Sequence, residues 1–347
     1  MTREERCYAY TDLHAAGEPV RIITGGAPAL SGTNLLDKRR DAMRRHDAVR
    51  RHLMLEPRGH ADMYGVWPTE PDRSDCALAV LFMHNGGWST MCGHATVALG
   101  RWIIDQGIVQ ATTPLTTFRL QCPCGPVDVR VETDASGRTG NVSFDSVPAF
   151  AGPLHQSLEV GGGDSVEVDI AYGGAYYAIL PASRLGLDLY ANRLDELVAA
   201  GRSIIAAGRG QLDIHHPGES DLGFLYGCII TDGKGPPDSA MTRNLCIFGD
   251  GQVDRSATGS GITARLALAH AQRHLAPGIA CEFAGLSGVP FSGKIRRALS
   301  DDEVIVTVTG QGYYSGEGSL RVEPDDPLRA GFEVPPRLTD QAGRSTT

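Results

Sequence analysis

The stretch Met91-Cys92-Gly93-His94-Ala95-Thr96 places a cysteine and a glycine directly before a long apolar run at residues 97–104. The pattern returns in the second half of the chain, where Thr258-Gly259-Ser260-Gly261 precedes the largely apolar residues 262–269. The repetition indicates two similar halves, each of which directs the N-terminus of a helix at one shared site. One half offers a thiol at that site and the other offers only a hydroxyl.

Both motifs are predicted to open helices that are apolar nearly all round, and helices of this kind are buried. The predicted helices are 35–54, 93–106, 190–208 and 258–275, with a glycine stop signal for the second of them at Gly107. Alternating or β-branched runs predict strands at 20–23, 127–131, 166–170 and 304–308. We therefore predict an α+β fold in which the strands of each half surround one central helix.

The length of the chain predicts two domains. It has 347 residues, whereas a single hydrophobic core stops growing at about 250–300 residues. The glycine run at 161–163 has the composition of a linker. We therefore place the N-terminal half at 1–163 and the C-terminal half at 164–324, and we expect the last segment, 325–347, to rejoin the N-terminal half.

Composition excludes several classes of partner. The formal net charge of −9 argues against nucleic acid, and no run reaches the roughly 18–20 apolar residues of a membrane span. The N-terminus has charges but no apolar core of a signal peptide. The eight scattered cysteines are typical of reduced thiols. We expect a cytoplasmic protein with no nucleic-acid or membrane partner.

One segment departs from the acidic balance, since seven Lys and Arg residues lie between 37 and 54. Apolar side chains stand between them, as in an amphipathic helix. We interpret this segment as a surface helix with a solvated basic face, with binding to RNA or a membrane surface as the alternative.

Cys92 is the first candidate catalytic residue. A thiol acts as a base or nucleophile when it is ionised, and the N-terminus of a helix stabilises the thiolate. The alternative is a small buried apolar residue, the usual role of a free cysteine. The backbone N–H groups of Gly93 and His94 are predicted to bind an anion such as a carboxylate, although His94 could instead be a structural cap.

A Cys–His pair is not expected within this motif. Cys92 and His94 are two positions apart, and side chains with that spacing do not face each other on a helix. A Cys–His hydrolase would therefore need its histidine from elsewhere in the chain, such as His14, His60 or His84.

The second motif adds a carboxylate and two more N–H groups. Asp254 precedes the predicted helix and either caps it or pairs with a cationic amine. Gly259 and Ser260 present N–H groups as Gly93 and His94 do. Two helix N-termini would then hold one substrate carboxylate from both sides.

Cofactor motifs are not found. The chain has no G-x-x-x-x-G-K-[ST] phosphate loop and no dinucleotide fingerprint after a strand, so we infer no nucleotide cofactor. Cys122-Pro123-Cys124 lacks the usual zinc spacing and has no matching ligand pair, so we expect no metal.

Taken together, these residues resemble the proline racemase family, which shares the diaminopimelate-epimerase fold. The motifs that carry the resemblance cover most of the chain and are specific in combination; they are 12–19, 56–65, 91–94, 169–174 and 254–256. The resemblance implies that the sheet of each half is barrel-like. It also implies activity without a cofactor, an imino-acid substrate and a possible homodimer.

Racemases and epimerases of this family use two cysteines, one on each face of the substrate Cα. The chain departs from that pattern at Thr258, and also has Ala257 where proline is common. It is similar in this to the branch that dehydrates trans-3-hydroxy-L-proline. The resemblance implies Cys92 as the base, Thr258 as a hydrogen-bonding group and Asp254 as the partner of the ring ammonium.

The chemistry of the two reactions favours the same branch. Racemisation needs an acid and a base that exchange roles, and a threonine hydroxyl is too weak an acid for this. Elimination needs one strong base and assistance to the leaving hydroxide. The alternatives are a proline racemase or 4-hydroxyproline epimerase with Cys246 or Cys228 as second proton carrier, a non-catalytic imino-acid-binding protein and, most remotely, a cysteine-dependent hydrolase.

Overall fold

A computed structural model gives the structure of residues 5–161, 164–235 and 241–334. Residues 335–347 of the last segment and two glycines of the run at 161–163 lie outside these ranges. The α-helices of the described ranges are α1 (Leu35–Arg45), α2 (Asp47–Met54), α3 (Gly93–Asp105), α4 (Leu194–Gln211) and α5 (Gly259–Ala271). Among the described helices, none combines the length and apolar character required to cross a bilayer.

The strands of the described ranges are numbered in chain order. They are β1 (Arg6–Ala15), β2 (Glu18–Gly25), β3 (Tyr64–Thr69), β4 (Leu78–His84), β5 (Gly87–Ser89), β6 (Leu115–Cys122), β7 (Gly125–Thr133), β8 (Thr139–Asp145), β9 (Ala149–Ala151), β10 (Gln156–Gly161), β11 (Asp164–Tyr172), β12 (Tyr176–Pro181), β13 (Leu225–Thr231), β14 (Met241–Phe248), β15 (Gln252–Asp254), β16 (Ala280–Ala284), β17 (Pro290–Ala298), β18 (Glu303–Gly310) and β19 (Gly312–Val322).

The helix predictions differ from the structure mainly at their ends. α3 and α5 begin at Gly93 and Gly259, and Gly107 follows the end of α3 with a left-handed φ of 67°. The single helix predicted at 35–54 is wrong, because the chain leaves the helical conformation at His46 (φ −129°, ψ 15°). The helix predicted at 190–208 begins later, at Leu194.

Seven strands of the second half, together with β9 from the first, close into a barrel around α5. They pair in the order β9, β11, β12, β13, β14, β16, β17 and β18, and β18 pairs with β9 to complete the ring. The pairs β12–β13 and β14–β16 are parallel and the others are antiparallel. α5 packs against β9, β11, β17 and β18, so its apolar surface fills the interior.

The first half repeats this arrangement around α3. Strands β19, β1, β2, β3, β4, β6, β7 and β8 pair in that order, and the parallel pairs are again two, β2–β3 and β4–β6. β8 then pairs with β18, which continues through Gln311 into β19. One long chain segment is therefore shared by both rings, and the predicted α+β fold with two barrel-like, pseudo-symmetric halves is confirmed.

The equivalence extends to the two motifs. In the first half β5 forms a hairpin with β4 and leads into Cys92. In the second half β15 forms a hairpin with β14 and leads into Thr258. A short strand paired to a barrel strand thus fixes the start of each central helix.

The chain crosses between the halves more than once. β10 and β11 form a hairpin in which Gly161 stands opposite Asp164, so the predicted linker joins two paired strands. β19 pairs with β1 along its whole length, and Phe332 bridges to Glu56 beside the ion pair Arg58–Asp326. Whether the halves fold as separate domains stays a prediction.

The basic segment is less exposed than we predicted. Arg39 and Arg50 are buried, and Arg50 donates to the carbonyl oxygen of His84 at 3.1 Å and pairs with Asp47. The prediction of a solvated basic face is therefore wrong at these two positions. Their guanidinium groups satisfy backbone carbonyls beneath α1 and α2, which burial would otherwise leave unpaired.

The two central helices meet at their N-termini through two glycines. A Cβ atom added to Gly93 would lie 2.4 Å from the Cα of Gly259, and one added to Gly259 would lie 2.8 Å from the Cα of Gly93. Any side chain at either position would collide with backbone of the other helix. The contact therefore requires glycine in both halves.

We expect Gly259→Ala to lower the stability of the protein by about 3 kcal/mol, because backbone must move to accept the new methyl group. The matched control is Gly210→Ala on the exposed face of α4, where an added Cβ meets nothing within 4 Å. This control should be neutral or stabilising by up to about 1 kcal/mol. Thermal and urea unfolding measure both; equal stability of the two variants would contradict the close approach.

Candidate active site

Cys92 is the N-cap of α3. Its backbone is extended (φ −146°, ψ 114°), and its Sγ accepts a hydrogen bond from the N–H of Ala95 at 3.4 Å. The N–H groups of the first turn have no acceptor within the helix. Ala95 donates its N–H to the sulfur, and the N–H groups of Gly93 and His94 have no acceptor within the helix.

The side chains of Cys92 and His94 are in contact, which contradicts our prediction. The Sγ of Cys92 lies 3.2 Å from Nδ1 and 3.5 Å from Nε2 of His94. The spacing rule that we applied holds for two residues inside a helix. Cys92 precedes the helix, and its extended backbone lets the thiol reach across the first turn.

His94 is the centre of a buried charge cluster. Its Nδ1 lies 3.7 Å from Oδ2 of Asp254, and both side chains are about 4% exposed. Burial lowers the pKa of His94, but the sulfur of Cys92 and the carboxylate of Asp254 outweigh this and hold the pKa well above its ordinary range. Burial raises the pKa of Asp254, and His94 reverses this so that the net shift is downward. The arrangement favours an imidazolium at His94 beside the Asp254 carboxylate.

Thr258 is the N-cap of α5, but its conformation differs from that of Cys92. Its φ of 59° and ψ of 88° are left-handed, a strained region for a β-branched residue. Its Oγ1 donates to Oδ2 of Asp254 at 2.9 Å, and Oδ1 of Asp254 accepts from the N–H of Ser256 at 2.8 Å. Asp254 thus stabilises the turn before α5. The hydroxyl of Thr258 already donates its one proton to a hydrogen bond with this carboxylate.

One cavity brings all the predicted site residues together. Its volume is only about 10 Å³, and every residue that lines it is buried. The lining is made by Tyr64, Met91, Cys92, Gly93, His94, Tyr177, Tyr226, Cys246, Phe248, Asp254, Thr258, Gly259 and Ser260. The structure therefore brings the two motifs together around one small chamber.

Four aromatic residues of this wall were not identified from the sequence. They are Tyr64, Tyr177, Tyr226 and Phe248, each on a barrel strand or next to one. The hydroxyl of Tyr177 hydrogen bonds with Ser260 at 2.7 Å. The buried hydroxyl of Tyr64 has no hydrogen-bond partner in the described part of the chain. Tyr64 lies within the motif at 56–65, one of those that resemble the proline racemase family. This was the sequence signal that could have identified it.

The other candidate residues from the sequence differ in whether they line this cavity. Cys246 lines it and Cys228 does not; burial raises the pKa of both thiols. His14, His60 and His84, the alternative partners for the thiol, are not among the lining residues. In the described ranges no three His, Cys, Asp or Glu side chains are grouped so that they could hold a metal ion.

Glu18 lies behind the cavity and was also not identified as a site residue. It is fully buried, and its Oε2 accepts from the N–H of Arg255 at 2.7 Å while Oε1 has no hydrogen-bond partner among the described residues. Burial and the nearby Asp254 carboxylate raise the pKa of Glu18 to about 8, against smaller opposing effects of His94 and Arg255. The carboxyl group is therefore protonated at neutral pH and joins β2 to the segment before α5.

We expect this proton to make stability depend on pH. The pKa of Glu18 is raised from 4.5 to about 8, so its contribution to stability is complete below pH 4.5 and is lost as the pH rises toward 8. Glu18→Gln should remove that loss, and the difference in Tm between the variant and the wild type should increase over this window.

Glu159→Gln, at an exposed position of β10, is the matched control for this measurement and should show no such trend. A Tm difference for Glu18→Gln that stays constant from pH 4.5 to 8 would show that Glu18 is ionised in the folded protein.

The chain is similar to known proteins in both sequence and fold. The sequence model of the family described as proline racemase matches residues 10–333. A protein from Homo sapiens named trans-3-hydroxy-L-proline dehydratase is 46% identical over 329 residues, which are 92% of this chain and 93% of that protein. A protein of the same name from Colwellia psychrerythraea is 40% identical over 324 residues, 92% of this chain and 91% of its own.

Solved structures share the fold at lower identity. A hydroxyproline epimerase from Agrobacterium vitis with bound trans-4-hydroxy-L-proline superposes with a TM-score of 0.88 at 24% identity, covering 96% of each chain. A probable proline racemase from Agrobacterium radiobacter with bound carbonate gives the same TM-score and identity, covering 96% of this chain and 97% of the other.

Proposed function

The chain belongs to the proline racemase family, and from this premise we propose that it dehydrates trans-3-hydroxy-L-proline to Δ1-pyrroline-2-carboxylate. The observation that carries the proposal is the asymmetry of the cavity. A thiol in contact with a histidine faces a threonine whose hydroxyl donates a hydrogen bond to Asp254. The names of relatives at 40–47% identity support the same activity.

Cys92 is the base that removes the Cα proton in this proposal. Its sulfur has the features that stabilise a thiolate, namely the first turn of a helix and an adjacent imidazolium at 3.2 Å. Because the cavity is buried, the proton transfer takes place away from bulk water. The interaction between sulfur and imidazolium is stronger there than it would be in water.

The helix N-termini would hold the substrate carboxylate. The N–H groups of Gly93 and His94 come from one side and those of Gly259 and Ser260 from the other. Negative charge moves toward the carboxylate as the Cα proton leaves, so these donors stabilise the transition state more than the substrate. Asp254 would hold the ring ammonium through a free lone pair, since each carboxylate oxygen accepts more than one donor.

Racemisation is disfavoured by the opposite wall. The hydroxyl of Thr258 donates to Asp254, and a threonine is too weak an acid to exchange roles with a thiolate. Cys246 does line the cavity, but burial raises its pKa, so it would not serve as the base for the reverse direction. A racemase or epimerase is therefore the second candidate function, behind the dehydratase.

The product follows from loss of one proton and one hydroxide. The enamine that forms tautomerises to the cyclic imine, and no step of this reaction requires a cofactor. The homodimeric state and the cytoplasmic location that we expect from the sequence stay predictions. A non-catalytic imino-acid-binding protein would bind the substrate without turning it over.

The direct test is to incubate the pure protein with trans-3-hydroxy-L-proline and follow loss of water by mass spectrometry. Cys92→Ser should lower turnover by at least about 100-fold, because serine cannot supply the base, and should still bind the planar pyrrole-2-carboxylate. Cys7→Ser, at an exposed thiol outside the cavity, is the control. Binding without water loss by the wild type would instead identify a binding protein.

Thr258→Cys should add epimerase or racemase activity, because a second thiol would then face Cα from the opposite wall. Chiral chromatography of proline and 4-hydroxyproline after incubation measures this gain. Thr258→Ser keeps a hydroxyl and should give no epimer. If Thr258→Cys produces neither an epimer nor exchange of the Cα proton from the new face, position 258 does not face Cα.

A further inference from the structure

The stereochemistry of the proposed substrate determines where the leaving group departs. In trans-3-hydroxy-L-proline the hydroxyl is on the ring face opposite the carboxylate. The Cα hydrogen is also opposite the carboxylate, so this hydrogen and the hydroxyl share one face. If Cys92 removes the hydrogen, the hydroxide leaves on the Cys92 side. Thr258, on the other wall, is then on the wrong side to assist it.

Hydroxide is a strong base and therefore a poor leaving group unless it receives a proton as the C–O bond breaks. Close to the sulfur of Cys92, His94 and Tyr64 each carry a transferable proton. His94 is in contact with the sulfur at 3.2 Å. The ring of Tyr64 lies 4.8 Å from that of His94, and its buried hydroxyl has no hydrogen-bond partner among the described residues.

We propose that His94 is the general acid of the reaction and protonates the departing 3-hydroxyl group on the same face from which Cys92 takes the Cα proton. The inference rests on the proposed dehydration. It gives His94 a catalytic role in its side chain, in addition to the anion-binding N–H group that the sequence predicted.

Cys92 and His94 together account for every proton that moves in this step. The thiolate of Cys92 takes the Cα proton and becomes a thiol, the Cα electrons form the C=C bond, and the C–O bond breaks. The imidazolium of His94 gives its proton to the leaving oxygen, which departs as water. The thiol then returns a proton to the neutral imidazole across 3.2 Å, which restores the thiolate–imidazolium pair without an outside acid.

His94 is favoured over Tyr64 by the charges around it. The imidazolium stands between Cys92 and Asp254, so its proton is held by anions until the substrate arrives. Burial and the nearby sulfur raise the pKa of Tyr64 well above its ordinary range, which makes it a hydrogen-bond donor but a weak acid. The free hydroxyl of Tyr64 is suited to orient the leaving oxygen.

The test compares two leaving groups on the same ring. Fluoride is a far weaker base than hydroxide, so elimination from trans-3-fluoro-L-proline needs the base but little help from an acid. We expect His94→Gln to lower dehydration of trans-3-hydroxy-L-proline by at least about 100-fold more than it lowers fluoride release. Any weakening of Cys92 as a base affects both substrates and cancels in this ratio.

His155→Gln, at an exposed histidine outside the cavity, is the control and should leave both rates unchanged. Equal losses with the two substrates for His94→Gln would overturn the proposal. So would a selective loss of dehydration in Tyr64→Phe that His94→Gln does not show. Failure of the wild type to dehydrate trans-3-hydroxy-L-proline would overturn the proposed function itself, and with it this inference.

A second measurement needs only the wild-type protein and so does not depend on the folding of a variant. In cis-3-hydroxy-L-proline the hydroxyl is on the face opposite the Cα hydrogen. In D₂O the enzyme should exchange this hydrogen for deuterium without losing water, because the acid is on the other side. Dehydration of the cis isomer as fast as the trans isomer would overturn an acid on the Cys92 face.

Discussion

The contact between Gly93 and Gly259 is the constraint on which the site depends. It brings the N-termini of two helices together in a buried place, and each N-terminus carries about half a positive charge. Two like ends at this distance repel each other, and burial strengthens the repulsion. Anionic groups around the contact offset it, namely the sulfur of Cys92, the carboxylate of Asp254 and, in the proposed function, the carboxylate of the substrate. The fold thus makes a negatively charged group favourable beside the two helix N-termini, where the proposed reaction takes place.

The two halves provide equivalent backbones and different side chains. Each ring contains two parallel strand pairs, and each motif follows a three-residue strand in a hairpin. The N-caps differ, since Cys92 is extended and Thr258 is left-handed. The thiol of Cys92 turns toward its own helix and His94, whereas the hydroxyl of Thr258 turns back toward Asp254. In the proposed function, this difference in direction supplies a base from one wall and leaves the other without a free acid.

Sequence patterns predicted the central helices and their convergence, because a small residue before a long apolar run is a strong signal for a buried helix start. They did not predict the contact between Cys92 and His94, since a rule for helix interiors was applied to a residue outside the helix. The break at His46 has no glycine or proline to mark it. Glu18 and Tyr64 lie on strands, where burial depends on pairing across many residues of separation. Tertiary structure was needed to bring Tyr64 to the cavity and Glu18 behind it.

The segment from β18 to β19 pairs with strands of both rings and so has a consequence for how molecules reach the cavity. Every residue of the lining is buried, so lining residues must move for a ligand to enter or leave. β18 and β19 are one continuous path paired with β8 and β1. An opening motion that kept this pairing would turn one ring against the other about the shared segment, and its frequency would limit the release of product.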